Sequence, residues 1–214
     1  MVDFSKSNWQ QEFDEEQLNQ ILLGFENNLT PERIAIYADP KFKWNQMKQI
    51  RLGLEKNLTK DQVMMYADSK FNHDQMNEIR VGFEDGLTME QVAVYADSKF
   101  DSNQMEKIRA GFKNGFTMEQ VAVYANSKFD SKQMEQIRVG FEHGLTMEQV
   151  AGYADPKFNW NQMWKIRLSL EEKLSSVQKN QSSEGKPLSI NDRLNALEAG
   201  RKLASVTVKD DIIK

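Results

Sequence analysis

The chain has 214 residues, 28 Lys and Arg against 32 Asp and Glu, a formal charge of −4, two His and no Cys. That length is enough for a real hydrophobic core, and 39% hydrophobic with 28% charged residues is the composition of a folded chain. The acidic balance argues against a protein built mainly to coat nucleic acid, and the lack of Cys excludes a disulfide framework, a thiolate metal site and a Cys nucleophile.

The N-terminal segment, MVDFSKSNWQQEF, carries no apolar core of a signal peptide, and no stretch approaches 18 apolar residues. Neither secretion nor membrane insertion is expected, and the Cys-free composition suits the cytoplasm. From Phe13 onward the chain is periodic. The string Gln-Met-x-x-Ile-Arg occurs five times, ending at Arg51, Arg80, Arg109, Arg138 and Arg167, always 29 residues apart. A degenerate copy, Gln17 to Leu22, stands one period earlier. The repeats run 13–41, 42–70, 71–99, 100–128 and 129–157, with a partial sixth over 158–176. A fixed period of this size is the signature of a repeat architecture.

The unit beginning at Phe100 shows how each copy reads. Asp101 caps a first helix, Gln104 follows three residues on, and Phe100 and Met105 flank them, which is a capping box with a hydrophobic staple. Met105, Ile108 and Phe112 form one apolar stripe. Gly115 supplies a left-handed C′ residue, a place taken by Asn28 and Asn57 in earlier copies. Thr117 then caps a second helix with Gln120 at N3, and Val121, Tyr124 and Ala125 form its stripe. Helices of roughly 13 and 9 residues are predicted, the second stopping near Asn126 or, elsewhere, at Asp39-Pro40 and Asp155-Pro156. Neither half shows the period of a strand. One such pair cannot bury its apolar face alone, whereas stacked pairs can, so the predicted fold is all-α, an α-solenoid of about six helix–turn–helix repeats. Gly53, Gly82, Gly111 and Gly140 sit inside the first helices, where Gly costs about 1 kcal/mol against Ala. They read as points of close approach, and the last copy has Ser169 instead. Beyond 1–176 the composition predicts a polar linker over 177–188, then a short C-terminal helix and tail over 189–214 that either caps the stack or docks elsewhere.

Several ladders recur with the period. Gln46, Gln75, Gln104, Gln133 and Gln162 read as N3 capping residues in preference to nucleobase readers. Tyr37, Tyr66, Tyr95, Tyr124 and Tyr153 read as core in preference to a stacking platform for single strands. The methionines, five of them at the staple position, read as core filler. The arginines flank the buried stripe, where a structural partner such as Asp97 or a Tyr face is favoured over a ligand. A second cationic row, Lys41, Lys70, Lys99, Lys128 and Lys157, follows each second helix and could track a phosphate backbone. Against that, the unit 71–99 has six acidic residues and two basic ones. Trp44 and Trp160 occupy a first turn where sister copies have Ser102 and Ser131, and Trp164 lies one turn further. A position that is polar in sister repeats is a surface position, and exposed Trp is typical of interface anchors; packing against the N-terminal segment or the C-terminal helix competes with that reading. The candidate partner-binding set is therefore Trp44, Trp160, Trp164, the five Arg and the five Lys. No phosphate loop, GxSxG, HExxH or other catalytic signature is present, so neither an enzyme nor a cofactor or metal site is expected.

The stretch from Tyr37 to Glu55, YADPKFKWNQMKQIRLGLE, resembles the "YAxPxFxxxQMxxIRxGLExGL" repeats of uncharacterised Gram-positive proteins from integrative, conjugative and phage-related elements. Tyr153 to Leu170 is similar apart from Ser169, and the likeness extends over about residues 13–174. Copies three to five depart from it in using Ser98 and Ser127 for Pro and Ser for Trp. The resemblance implies a mobile-element context and no particular activity. The leading expectation is a non-enzymatic scaffold that binds a protein or peptide, as a mobile-element factor acting on a host component would. A solenoid that binds nucleic acid through its Arg and Lys ladders, and a spacer or self-assembly element, are the alternatives.

Overall fold

Polar caps decide where each helix of this protein starts. In the computed structural model, which describes residue 4 and residues 8–184, long and short helices alternate. After a 3₁₀ turn at Trp9–Glu12, the long helices are α1 (Glu15–Glu26), α3 (Trp44–Glu55), α5 (His73–Glu84), α7 (Ser102–Lys113), α9 (Ser131–Glu142) and α11 (Trp160–Glu184). The short ones are α2 (Pro31–Ile34), α4 (Lys60–Met64), α6 (Met89–Ala93), α8 (Met118–Ala122) and α10 (Met147–Ala151). No strand occurs among the described residues, and the all-α repeat fold is as the periodicity requires.

The Asp101 carboxylate accepts from the Gln104 N–H at 2.8 Å, and Gln104 Oε1 accepts from the Asp101 N–H at 2.8 Å. Asp14, Asn72 and Asp130 make the same reciprocal box. Lys43 has no side-chain acceptor, so only Gln46 contributes there, accepting from the Lys43 N–H at 2.8 Å. At the other end of each long helix the chain turns left-handed, with φ of 62° at Asn28, 63° at Asn57 and 83–86° at Gly86, Gly115 and Gly144. The next residue closes a six-to-one bond, as from the Leu87 N–H to the Gly82 carbonyl at 3.0 Å.

The second helices are shorter than the 9 residues predicted, with only four or five in α conformation. Past Val92 the chain tightens: the Val94 and Tyr95 N–H groups bond to carbonyls three residues back, at Gln91 and Val92. That turn carries Tyr95 onto the long helix of its own repeat. Each long helix from α1 to α7 packs on the next long helix, and each from α1 to α9 packs on its own short helix. The buried staples Met47, Met76, Met105, Met134 and Met163 and the buried Phe42, Phe71 and Phe100 fill the space between.

The chain divides into two compact units, residues 1–170 and 171–214. The first holds the repeats. At its start Phe4 meets Trp9 and Phe25 edge-on, with centroids 5.0 and 5.5 Å apart, and Trp9 meets Phe13 at 6.2 Å. The described part of the second unit is helical, because α11 continues through 177–184. This corrects the linker expected from residue 177: no Gly or Pro interrupts the chain between Trp160 and Glu184, and a formed helix propagates through polar residues at little cost. The rest of that linker and the C-terminal helix expected at 189–214 lie outside the described residues. No helix among the described residues is long and apolar enough to cross a membrane.

Candidate functional site

Three of the sequence ladders meet at the joints between repeats. The Gln residues do more than cap. While Oε1 holds the cap, the Nε2 of Gln17, Gln46, Gln75, Gln104 and Gln133 donates to the backbone carbonyl of Phe42, Phe71, Phe100, Phe129 and Phe158 in the next repeat, at 2.6–2.7 Å. Each stitch adds about 1 kcal/mol net and aligns neighbouring units. The tyrosines are fully buried. A Cβ placed on Gly24, Gly53, Gly82, Gly111 or Gly140 would stand 1.8–2.0 Å from a Tyr hydroxyl, so these glycines exist to admit the ring. Tyr37 and Tyr153 donate to the carbonyls of Gln20 and Gln136, at 3.1 and 3.2 Å. The hydroxyls of Tyr66, Tyr95 and Tyr124 are buried without a hydrogen-bond partner. Burial pushes the phenol pKa of Tyr37, Tyr66, Tyr95 and Tyr124 well above its ordinary value.

The arginines also lie in the joints. Arg51, Arg80 and Arg167 are buried, and the side chains of Arg109 and Arg138 are 15% exposed. All but Arg138 reach back to the long helix of the preceding repeat, 31 residues earlier. Arg51 Nε donates to Gln20 at 3.2 Å, Arg80 to Gln49 at 3.1 Å, Arg109 to Glu78 at 3.0 Å and Arg167 to Gln136 at 3.2 Å. Arg51, Arg80 and Arg138 also pair with Glu55, Glu84 and Glu142 one turn on. Arg109 pairs instead with Asp85 at 2.8 Å, not with Asp97 as expected, because Lys113 replaces the glutamate there. Burial works against the Arg109 charge, but Glu78 and Asp85 outweigh it and raise its pKa. Burial likewise opposes ionisation of Asp85, and Lys113 and Arg109 nevertheless hold its carboxyl below the usual range. The fourth joint differs. The residue 31 before Arg138 is Lys107, which offers no acceptor, and Arg138 Nε is buried without a partner. Lys107 turns to Glu106 and Glu135. The five Arg are thus placed inside the array and committed to its own groups.

The Lys row is on the surface but engaged. Lys41, Lys70 and Lys99 pair with Asp39, Asp68 and Asp97 at 2.9, 3.2 and 2.9 Å, and their ammonium groups lie 4.8–5.1 Å from the adjacent Phe ring centres. The backbone N–H two residues after each Asp closes the same turn. Lys128 and Lys157 are exposed after the equivalent turns, built on Asn126 and Asp155. Trp44, Trp160 and Trp164 are 43, 42 and 39% exposed, and Lys132 Nζ sits 5.5 Å from the Trp160 ring centre. Trp44 and Trp160 open α3 and α11, and the described N-terminal aromatics gather on Phe25.

A further row escaped the sequence reading. Met89, Met118 and Met147 open α6, α8 and α10 and are 41, 43 and 44% exposed, while Met64 on α4 is 53% exposed. Treating all the methionines as core was wrong for these four. The signal was available: Pro31 and Lys60 occupy the same column in the first two copies, and a column that accepts Pro and Lys faces water. Next to it runs an acidic column, Glu32, Asp61, Glu90, Glu119 and Glu148, every member exposed. Glu119 is held below the usual carboxylate range by its own backbone N–H and the Thr117 hydroxyl, and Glu32 by the Thr30 hydroxyl and its own N–H. On α6, α8 and α10, Met, Glu and the exposed Ala at i, i+1 and i+4, such as Met89, Glu90 and Ala93, share one outer face. Between α2 and α4 this face opens into a cavity of about 1130 Å³, lined by Pro31, Glu32, Ala35, Ile36, Leu58 and Met64 among others.

No protein-family model matches the chain, and no curated protein or solved structure matches it either.

Proposed function

We propose that this protein is a non-enzymatic helical-repeat scaffold that binds a protein or peptide partner along the outer face of its short helices. One observation carries the reading: exposed methionines recur in register on α6, α8 and α10, where a surface not in use would hold polar residues. Thioether side chains are adaptable, and rows of them suit a partner's apolar groups. The Arg and Gln ladders, by contrast, are spent on joints, which leaves a nucleic-acid reading resting on Lys residues largely paired to Asp. The likeness to mobile-element repeats supports a partner of element or host origin, encountered in the cytoplasm.

The test is capture from nuclease-treated lysate of a Gram-positive host, with the unaltered protein and with a Met89→Ser/Met118→Ser/Met147→Ser variant of unchanged helicity. A protein retained by the first and lost from the second supports the reading. Capture indifferent to the substitutions, or retention of nucleic acid alone from untreated lysate, defeats it.

A further inference from the structure

The acidic column beside the methionines differs from the carboxylates that hold the joints and the turns. Glu55, Glu78, Glu84, Asp85, Glu142 and the turn aspartates Asp39, Asp68 and Asp97 are each engaged by Arg or Lys. Glu32, Asp61, Glu90, Glu119 and Glu148 pair with no cation among the described residues. The two basic residues closest in the pattern are in the first copies: Lys60 stands in the methionine column, and Arg33 donates to the Leu54 carbonyl at 2.7 Å. Over α6, α8 and α10 the face therefore offers methionine, alanine and unpaired carboxylate, repeated without a compensating charge. Such a face repels phosphate and attracts a cation that carries apolar groups.

The period sets the form of that partner. The long helices of neighbouring repeats pack on one another, which sets successive units about 8–10 Å apart. A polyproline-type chain has three residues per turn and rises about 3.1 Å per residue, so side chains three residues apart share one edge and advance roughly 9 Å, whereas in a β-strand they would point to opposite faces. A partner helix would need about seven residues, or roughly 10.5 Å, and would slip out of register by up to a few Å per repeat.

We infer that the short-helix face binds an extended cationic segment of a protein, whose basic and apolar side chains recur every third residue and meet successive Glu and Met residues of the array. This rests on the function proposed above and names its partner class. Met89, Met118 and Met147 take the apolar side chains, and Glu90, Glu119 and Glu148 the ammonium or guanidinium groups. The joint residues play no part.

The probe is a fluorescein-labelled peptide of repeated Lys-Leu-Ser triplets, read by anisotropy against the full chain. Binding is expected, weakened by added salt and weakened about tenfold by Glu90→Gln/Glu119→Gln/Glu148→Gln, three exposed ion pairs being lost. These side chains are on the surface, and circular dichroism verifies that the variant keeps its helices. A Glu-Leu-Ser peptide should not bind, and a peptide of Lys-Leu-Ser-Ser units should bind several-fold more weakly. Equal affinity for the four-residue spacing, or indifference to the Gln substitutions, overturns the inference. If the triplet peptide fails while methionine-dependent capture of a protein persists, this inference is overturned and the proposed function stands. If methionine-dependent capture also fails, both fall.

Discussion

A single methyl group decides how closely each Tyr approaches its helix. A Cβ at Gly82 would lie 1.8 Å from Tyr95 Oη, so Gly82→Ala forces ring and helix apart. That overpacking costs about 1–3 kcal/mol, more than the roughly 1 kcal/mol Ala gains over Gly in a helix. Removing the hydroxyl relieves most of the clash and leaves the ring Cζ 3.2 Å from the new Cβ, so Gly82→Ala should cost less in a Tyr95→Phe background than alone. Tyr95→Phe alone should be close to neutral, because that hydroxyl is buried without a partner, whereas Tyr153→Phe should lose about 1 kcal/mol with its bond to Gln136. Urea unfolding of the single and double variants measures the coupling, and simple additivity would contradict it. The mid-helix glycines were legible as points of close approach, but the ring that approaches was not named. The clue is internal: Tyr follows Gly by 13 residues in every complete copy, and the sixth copy has Ser169 and Ser182 in both places. The exposed methionines were hidden for the opposite reason, since the same residue type fills the buried staple.

At the scale of the element, the joint between the repeats at 100–128 and 129–157 is the one that breaks the pattern. Lys107→Gln should give Arg138 Nε the acceptor that Gln20, Gln49 and Gln136 give their arginines. A stabilisation of about 1 kcal/mol is expected, and Gln49→Lys should transfer the defect to Arg80 with a similar loss. Thermal unfolding reads both, and no gain from Lys107→Gln would mean that the Arg bond is not part of the joint. The turns between units are also pH-sensitive. The backbone N–H groups and ammonium groups of Lys70 and Lys99 hold the Asp68 and Asp97 carboxyls below the usual range. A carboxyl depressed in the folded state adds stability that is complete above its unfolded value of about 3.9 and lost as the pH falls through its folded value. Urea midpoints should therefore decline as the pH drops below about 4. Asp68→Asn/Asp97→Asn should flatten that decline and keep the turns, because Asn126 already closes one in this chain. Helix starts, and the stops of the long helices α1 to α9, were legible from capping residues alone. The length of the second helix was not, because its stop is a tightening of hydrogen bonds onto Tyr that no breaker residue marks.

At the scale of the whole repeat unit, one joint is copied along the chain, using Gln, Tyr with Gly and, at all but the fourth copy, an Arg bond to the preceding repeat for cohesion. The order of repeats and the fold class followed from period alone, since a pattern of 29 residues leaves each helix pair only its neighbours to pack on. Which face remains open did not follow, because it depends on which cations and amides the joints consume. The Arg row, which the sequence places beside the buried stripe, is committed to the joints, and the Met column, read from the sequence as core, and the unremarked Glu column are what remains. Methionine oxidation by dilute peroxide, mapped peptide by peptide with and without the triplet peptide, tests this division most directly. Met64, Met89, Met118 and Met147 should oxidise first while Met47, Met76, Met105, Met134 and Met163 stay protected, and the ligand should shield Met89, Met118 and Met147. Oxidation of the staple methionines alongside the exposed row, or a bound ligand that leaves that row fully reactive, would contradict the account.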